Sequence, residues 1–176
     1  MVFVKSTVKL PKVWNADDGT LCTLRRLAES DSQALIAFVK SLSFAARYFR
    51  FGDADYDPGE DALKACSLAP EQGVHLIVVT PQDGRDIVIG SARYVIQPDR
   101  KSCEFVIVVA DKWNHHGLGR ELMGALFDCA KSQGISKMYG SVLQSNRDMI
   151  EFVRGCGFEI TDSPEGDWLK IVTINL

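Results

Sequence analysis

Residues Cys103 to Met123 read Cys-Glu-Phe-Val-Ile-Val-Val-Ala-Asp-Lys-Trp-Asn-His-His-Gly-Leu-Gly-Arg-Glu-Leu-Met, an apolar strand that runs into a glycine turn opening a helix. The first turn of a helix leaves four backbone N–H groups without intrahelical partners, and the aligned peptide dipoles place about half a positive charge there. An anion at that end satisfies both. Gly117 and Gly119 carry no side chains, so a phosphate can approach the main chain closely, and Arg120 adds charge at the mouth.

The spacing separates three kinds of phosphate loop. A dinucleotide fingerprint, Gly-x-Gly-x-x-Gly, would put its third glycine at Leu122, and no acidic residue follows at the required distance. A triphosphate loop needs Gly-Lys-Ser/Thr after four spacers, which this segment lacks. The third kind is a resemblance. Asn114-His115-His116-Gly117-Leu118-Gly119 resembles the Gln/Arg-x-x-Gly-x-Gly/Ala signature of the GNAT superfamily of acyl-coenzyme-A-dependent N-acyltransferases, with asparagine in the first position. Glu104 lies ten residues ahead of Asn114, Trp113 precedes the loop, and Asn146-Arg147-Asp148-Met149 with Gly157-Phe158 resembles the second coenzyme A motif of that superfamily. The likeness runs from about Gly19 to about Phe158. Within it, the stretch Leu42 to Phe51, together with Glu104-Phe105 and the Asn-Arg-x-Met run, resembles the acetyltransferase domain of bacterial Pat-type protein lysine acetyltransferases. The large acyl-CoA-synthetase-like region often joined to that domain is absent from these 176 residues, which are expected to form one domain.

The resemblance implies an α/β (α+β) GNAT-like domain, a mixed and mostly antiparallel sheet with helices on both faces, and acetyl-CoA as cosubstrate. It places pantetheine on the main chain of Ile107, Val108 and Val109, and pyrophosphate on the turn from Asn114 through His115, His116, Gly117 and Leu118 to Gly119, with Arg120 beside it. For those segments an ordinary core strand and a solvated turn are the plain alternatives. Asn146 either bonds pantetheine or caps its helix. Arg120 either meets phosphate or forms a surface ion pair. Arg47 and Arg50 either line an acceptor groove or pair structurally.

Acyl transfer from a thioester needs a neutral amine, yet a free lysine ammonium has a pKa of about 10.4. A base is required, or a site that depresses that pKa. Glu104 lies in an otherwise apolar strand, where a lone carboxylate is costly unless it faces water or a partner such as Arg93. By alternation it shares a face with Val106 and Val108, and the resemblance to the Pat-type domain makes it the general base. Many superfamily members carry a proton-donating tyrosine seven residues after the motif asparagine, but here that position is Val153. A thiolate whose conjugate acid has a pKa of about 8.5 leaves tolerably without one.

Composition bounds the rest. Hydrophobic residues make up 46% and charged residues 24%, enough to bury a substantial core. The net charge of −3 offers no field for nucleic acid or an anionic membrane and mildly favours a basic partner. The five cysteines, at 22, 66, 103, 129 and 156, are scattered in apolar patterns and are expected to be reduced core thiols of a cytoplasmic protein. No metal-ligand spacing is present, so no metal site is expected. Lysines interrupt the apolar N-terminus, which reads as neither a signal peptide nor a membrane span.

Along the chain, alternation predicts strands over Val2–Leu10, Thr20–Leu27, Val74–Thr80, Asp86–Ile96, Ser102–Val109, Lys137–Leu143 and Trp168–Ile174. Helices are predicted from an Asp31 cap to about Leu42, through Ser43–Phe51, over Glu60–Leu68, from Gly117 to a stop near Gly134, and over Asn146–Gly155. The expected activity is acetyl transfer to a primary amine, with a protein lysine implied by the Pat-type resemblance. A small amine, a protein N-terminus, or a coenzyme A sensor without turnover are the alternatives.

Overall fold

The computed structural model of the chain describes residues 9–176; the strand expected over Val2–Leu10 falls outside them apart from Lys9 and Leu10, which precede the first strand. Eight strands, β1 Lys12–Asn15, β2 Leu21–Arg26, β3 Gly73–Gln82, β4 Arg85–Ile96, β5 Ser102–Val109, β6 Lys137–Leu143, β7 Glu159–Ser163 and β8 Gly166–Asn175, form one sheet in the order β1-β2-β3-β4-β5-β6-β8-β7. Five helices accompany them: α1 Ser32–Ser41, α2 Phe44–Phe51, α3 Gly59–Cys66, α4 Leu118–Ser132 and α5 Arg147–Gly155. All neighbouring strands are antiparallel except β5 and β6.

Alternation along β5 divides the core. Cys103, Phe105 and Ile107 are buried in one cluster with Leu118, Leu122, Leu126 and Cys129 of α4. The opposite face holds a second cluster of Leu35, Phe38 and Val39 from α1 with Ala62 and Ala65 from α3, against which Val108, Ala46 and Phe51 pack. Each fully buried leucine contributes about 1.5–3 kcal/mol relative to exposure, which fixes α4 firmly over the sheet. Glu104, Val106 and Val108 therefore face the α1–α3 side.

Three expectations need correction. The β3–β4 hairpin turns on Asp83 and Gly84 alone, at φ 50° and 74°, so Pro81 and Gln82 belong to the strand rather than to a longer turn. Asp-Gly suffices because both positions of such a turn need positive φ. Asp31 is at the start of α1 but does not cap it with its side chain. Its carboxylate accepts from the Arg25 guanidinium at 2.7 and 2.9 Å and from the Ala28 N–H at 2.7 Å, because a 3-10 turn over Glu29–Asp31 has already made its backbone helical. Strand β7, unread in the sequence, is a mostly exposed edge of Glu, Thr, Asp and Ser whose order comes from pairing with β8.

The feature that positions the site is a divergence. β5 and β6 run parallel but pair only through Ser102–Lys137, Cys103–Met138 and Glu104–Tyr139. Immediately beyond, the Phe105 ring lies against Gly140 of β6, where an added Cβ would come within 2.8 Å of the ring. The Phe105 ring thus covers Gly140 on the α4 side of the sheet where the strands part, and it packs on Phe158 at a centroid distance of 5.1 Å. β6 meanwhile stays paired to β8 along its whole length.

Candidate active site

The divergence opens a cleft of about 750 Å³ between β5 and β6, walled by α2 and α5. The Ala110 N–H donates to the Ile89 carbonyl at 2.8 Å and the Gln97 N–H to the Ser102 carbonyl at 2.9 Å, so the even-numbered residues of β5 direct their main chain at β4. The main-chain groups of Phe105, Ile107 and Val109 consequently face the cleft, where no strand among the described residues pairs with them. Of the three strand residues expected to hold pantetheine, Ile107 and Val109 present backbone, and Val108 contributes only its side chain to the lining.

Beyond β5 a 3-10 turn, Asp111–Trp113, leads into the glycine turn. His115 at φ 64° and Gly117 at φ 85° are both left-handed, and α4 begins at Leu118 with no side-chain cap on its free N–H groups. The two glycines serve different needs. A Cβ on Gly117 would meet nothing, so that position needs glycine for its backbone angle; a Cβ on Gly119 would come within 3.1 Å of the Phe152 ring of α5. The approach that Gly119 permits in this structure is thus that of an aromatic ring. Asn114, His115, Gly117, Gly119 and Arg120 line the cleft. Leu118 is buried in the core and offers only its main chain. His116 lines a separate hollow of about 300 Å³ with Asp18, Thr20, Thr80, Lys112 and Trp113.

Asn146 does both things its position allowed. Its Oδ1 accepts from the Met149 N–H at 3.2 Å as the N-cap of α5, and the residue lines the cleft. Arg120 lies against α5, its guanidinium 3.4 Å from where a Gly155 Cβ would stand. Among the described residues Arg120 forms no ion pair.

Glu104 is exposed and belongs to the last residue pair before the strands part, at the base of the cleft rather than in its lining. It faces the α2 side and makes no ion pair with Arg93, which stands across from Val106. Tyr139, its partner across the parallel pair, has its phenol pushed up by burial and then by the Glu104 charge. Val153 is wholly buried in the main core and supplies no proton donor.

Sequence reasoning missed the joint that holds α2 in place. Asp111 accepts from the Ser43 hydroxyl at 2.7 Å and from the Ser43 N–H at 3.0 Å, while Ser43 caps α2 through the Ala46 N–H at 3.1 Å. The pair is 68 residues apart, and nothing local announces it. Arg50 of α2 lines the cleft; Arg47 does not, and its Nε is buried without a partner.

Residues 33–158 match the model of the acetyltransferase (GNAT) family. An acetyltransferase of Pseudomonas aeruginosa is 29% identical to the chain over 147 residues, covering 83% of the chain and 79% of the relative. The GNAT domain of S. lividans PAT has the same fold at a TM-score of 0.83 and 20% identity, covering 94% of this chain and 97% of that one. The spermidine N-acetyltransferase of Vibrio cholerae, solved in complex with CoA and spermine, has a TM-score of 0.67 at 19% identity, covering 88% and 95%.

Proposed function

The chain belongs to the acetyltransferase (GNAT) family, and from that premise we propose that the amine it acetylates is a lysine side chain of a protein. As a member of that family it is an acetyl-CoA-dependent acetyltransferase. In our reading the pantetheine amides join the open edge of β5 as an added strand would, on the main chain of Ile107 and Val109. The pyrophosphate takes the N-terminal end of α4, where free N–H groups and the helix dipole favour an anion, with Arg120 adding charge.

Acetyl transfer forms a C–N bond and breaks a C–S bond. Glu104, at the base of the cleft and open to solvent, takes the proton of the attacking amine directly or through a water. The sulfur departs as thiolate, which suits a site where the position of the usual acid is filled by a core valine.

One observation carries the choice of lysine. The stretch that resembles the Pat-type domain, Leu42 to Phe51, contains α2, and Ala45, Ala46, Phe49 and Arg50 of that helix wall the cleft on the face that Glu104 shares. The test is thiol release from acetyl-CoA with peptides carrying an internal lysine, peptides with only a free N-terminus, and spermidine. The internal-lysine peptides are expected to show the highest kcat/KM; a higher value for spermidine or for the N-terminal amines would replace the acceptor while leaving the acetyltransferase.

A further inference from the structure

The sheet face beneath α2 carries a cationic cluster that the chemistry above leaves unused. His75 of β3, Arg93 of β4 and Val106 of β5 stand side by side in register, on the face that also bears Glu104. Arg50, in the last turn of α2, lines the cleft with its guanidinium 4.6 Å from the centroid of the Phe51 ring, which in turn stacks on Tyr56 at 4.0 Å. The Arg93 charge reaches Arg50: burial, followed by that charge, pulls the Arg50 pKa down to about 10. Burial and then both guanidinium groups push His75 down to about 3, so it is neutral, with Nε2 2.7 Å from the Ser91 hydroxyl and Nδ1 buried without a partner.

Among the described residues the cluster lacks a counter-ion. Among the described residues neither Arg50 nor Arg93 has a carboxylate oxygen within 4 Å, the ion pairs being those of Lys12, Arg25, Lys64 and Lys170. Asp61 is the carboxylate that acts on Arg50, and it is engaged by the Tyr56 hydroxyl and Lys64. Asp111, also on the cleft, is taken by Ser43. A partly buried guanidinium without a carboxylate partner is costly, and a carboxylate entering the cleft beside Arg50, within the field of Arg93, lowers that cost. The phosphates of the cosubstrate do not meet this need in our reading, because the glycine turn follows the Val109 end of β5, whereas Arg93 stands at Val106, toward Glu104.

From this geometry we propose that the acceptor carries a carboxylate near the amine it offers, held by Arg50 with Arg93 behind it, so that the enzyme selects lysines beside an acidic residue. The inference rests on the amine-acetyltransferase reading and gives it a substrate preference. Arginine suits the role because its planar fork grips a carboxylate with two parallel hydrogen bonds.

The test compares kcat/KM for matched peptides in which the residue beside the lysine is Glu or Gln, and for a free amino acid against its amide, which separates a side-chain carboxylate from an α-carboxylate. The wild-type enzyme is expected to favour the carboxylate member of a pair about tenfold or more, mostly through KM. In Arg50→Gln that ratio should fall toward one, and Arg50→Lys should recover part of it. Equal values within both wild-type pairs, or a wild-type ratio that survives Arg50→Gln, overturns the inference and leaves the acetyltransferase standing. Loss of affinity for acetyl-CoA in Arg50→Gln with the ratio unchanged also overturns it, by assigning the cation to the cosubstrate. Absence of transfer to every amine, with acetyl-CoA bound, overturns this inference together with the reading beneath it.

Discussion

At the phosphate end of the cleft, the turn from His115 to Gly119 offers main-chain groups at the head of a helix whose inner face is sealed, with Leu118, Leu122 and Leu126 each exposed by 1% or less. At the acceptor end, α2 offers side chains from a helix with no fully buried residue, Phe44 being 68% exposed, tied at its start by the Ser43–Asp111 hydrogen bonds. In our reading the first end binds its ligand with backbone, which would leave the side chains of His115 and His116 without a required role there. In our reading the second binds its ligand with side chains on a lightly anchored element, so its specificity could change without disturbing the core.

Substitutions that separate the two ends test this contrast. The largest effect is expected for Glu104→Gln, which should lower kcat by about 10²–10⁴-fold with the acetyl-CoA dissociation constant nearly unchanged; unchanged turnover would remove Glu104 from the mechanism. Leu122→Ala should cost about 2–5 kcal/mol of stability, measured by denaturant unfolding, because it hollows the packing that supports α4. A loss below 1 kcal/mol would mean that the phosphate end is not rigidly supported. Gly119→Asp should weaken acetyl-CoA binding at least tenfold in calorimetry, by steric conflict with Phe152 and by a negative charge at the helix start; retained affinity would refute the pyrophosphate assignment. Ser43→Ala should be mildest, about 1 kcal/mol. It should raise KM for the amine while leaving acetyl-CoA affinity alone, and a matching change at both ends would dissolve the distinction between them.

Much of the phosphate end was legible because its determinants are local. Residues 102–109 and 137–143 were read as strands with the bounds observed, and the helix after Gly117 packs on the leucines and cysteine that its period indicated. Gly119 was read for the approach of a phosphate, and the structure adds a second need for its missing Cβ, the Phe152 ring, 33 positions later. Val108 was grouped with Ile107 and Val109, but only the β4–β5 register reveals which of the three present their main chain to the cleft. Asp31 resembled a cap because its type and place fit, while the better partner, Arg25, lies on a different element.

The run of elements from β2 through α5, the glycine turn and the carboxylate ahead of it were determined by the sequence itself, because each depends on residues within a few positions of one another. Where β5 and β6 part was decided only in three dimensions: their pairing residues are 35 positions apart, and the Phe105 ring packs over Gly140 just beyond the last pair. The placing of Arg50 on the cleft, within the field of the Arg93 charge, was decided there as well. Ring packing and charge proximity depend on distances between elements, which no local pattern of residue types contains.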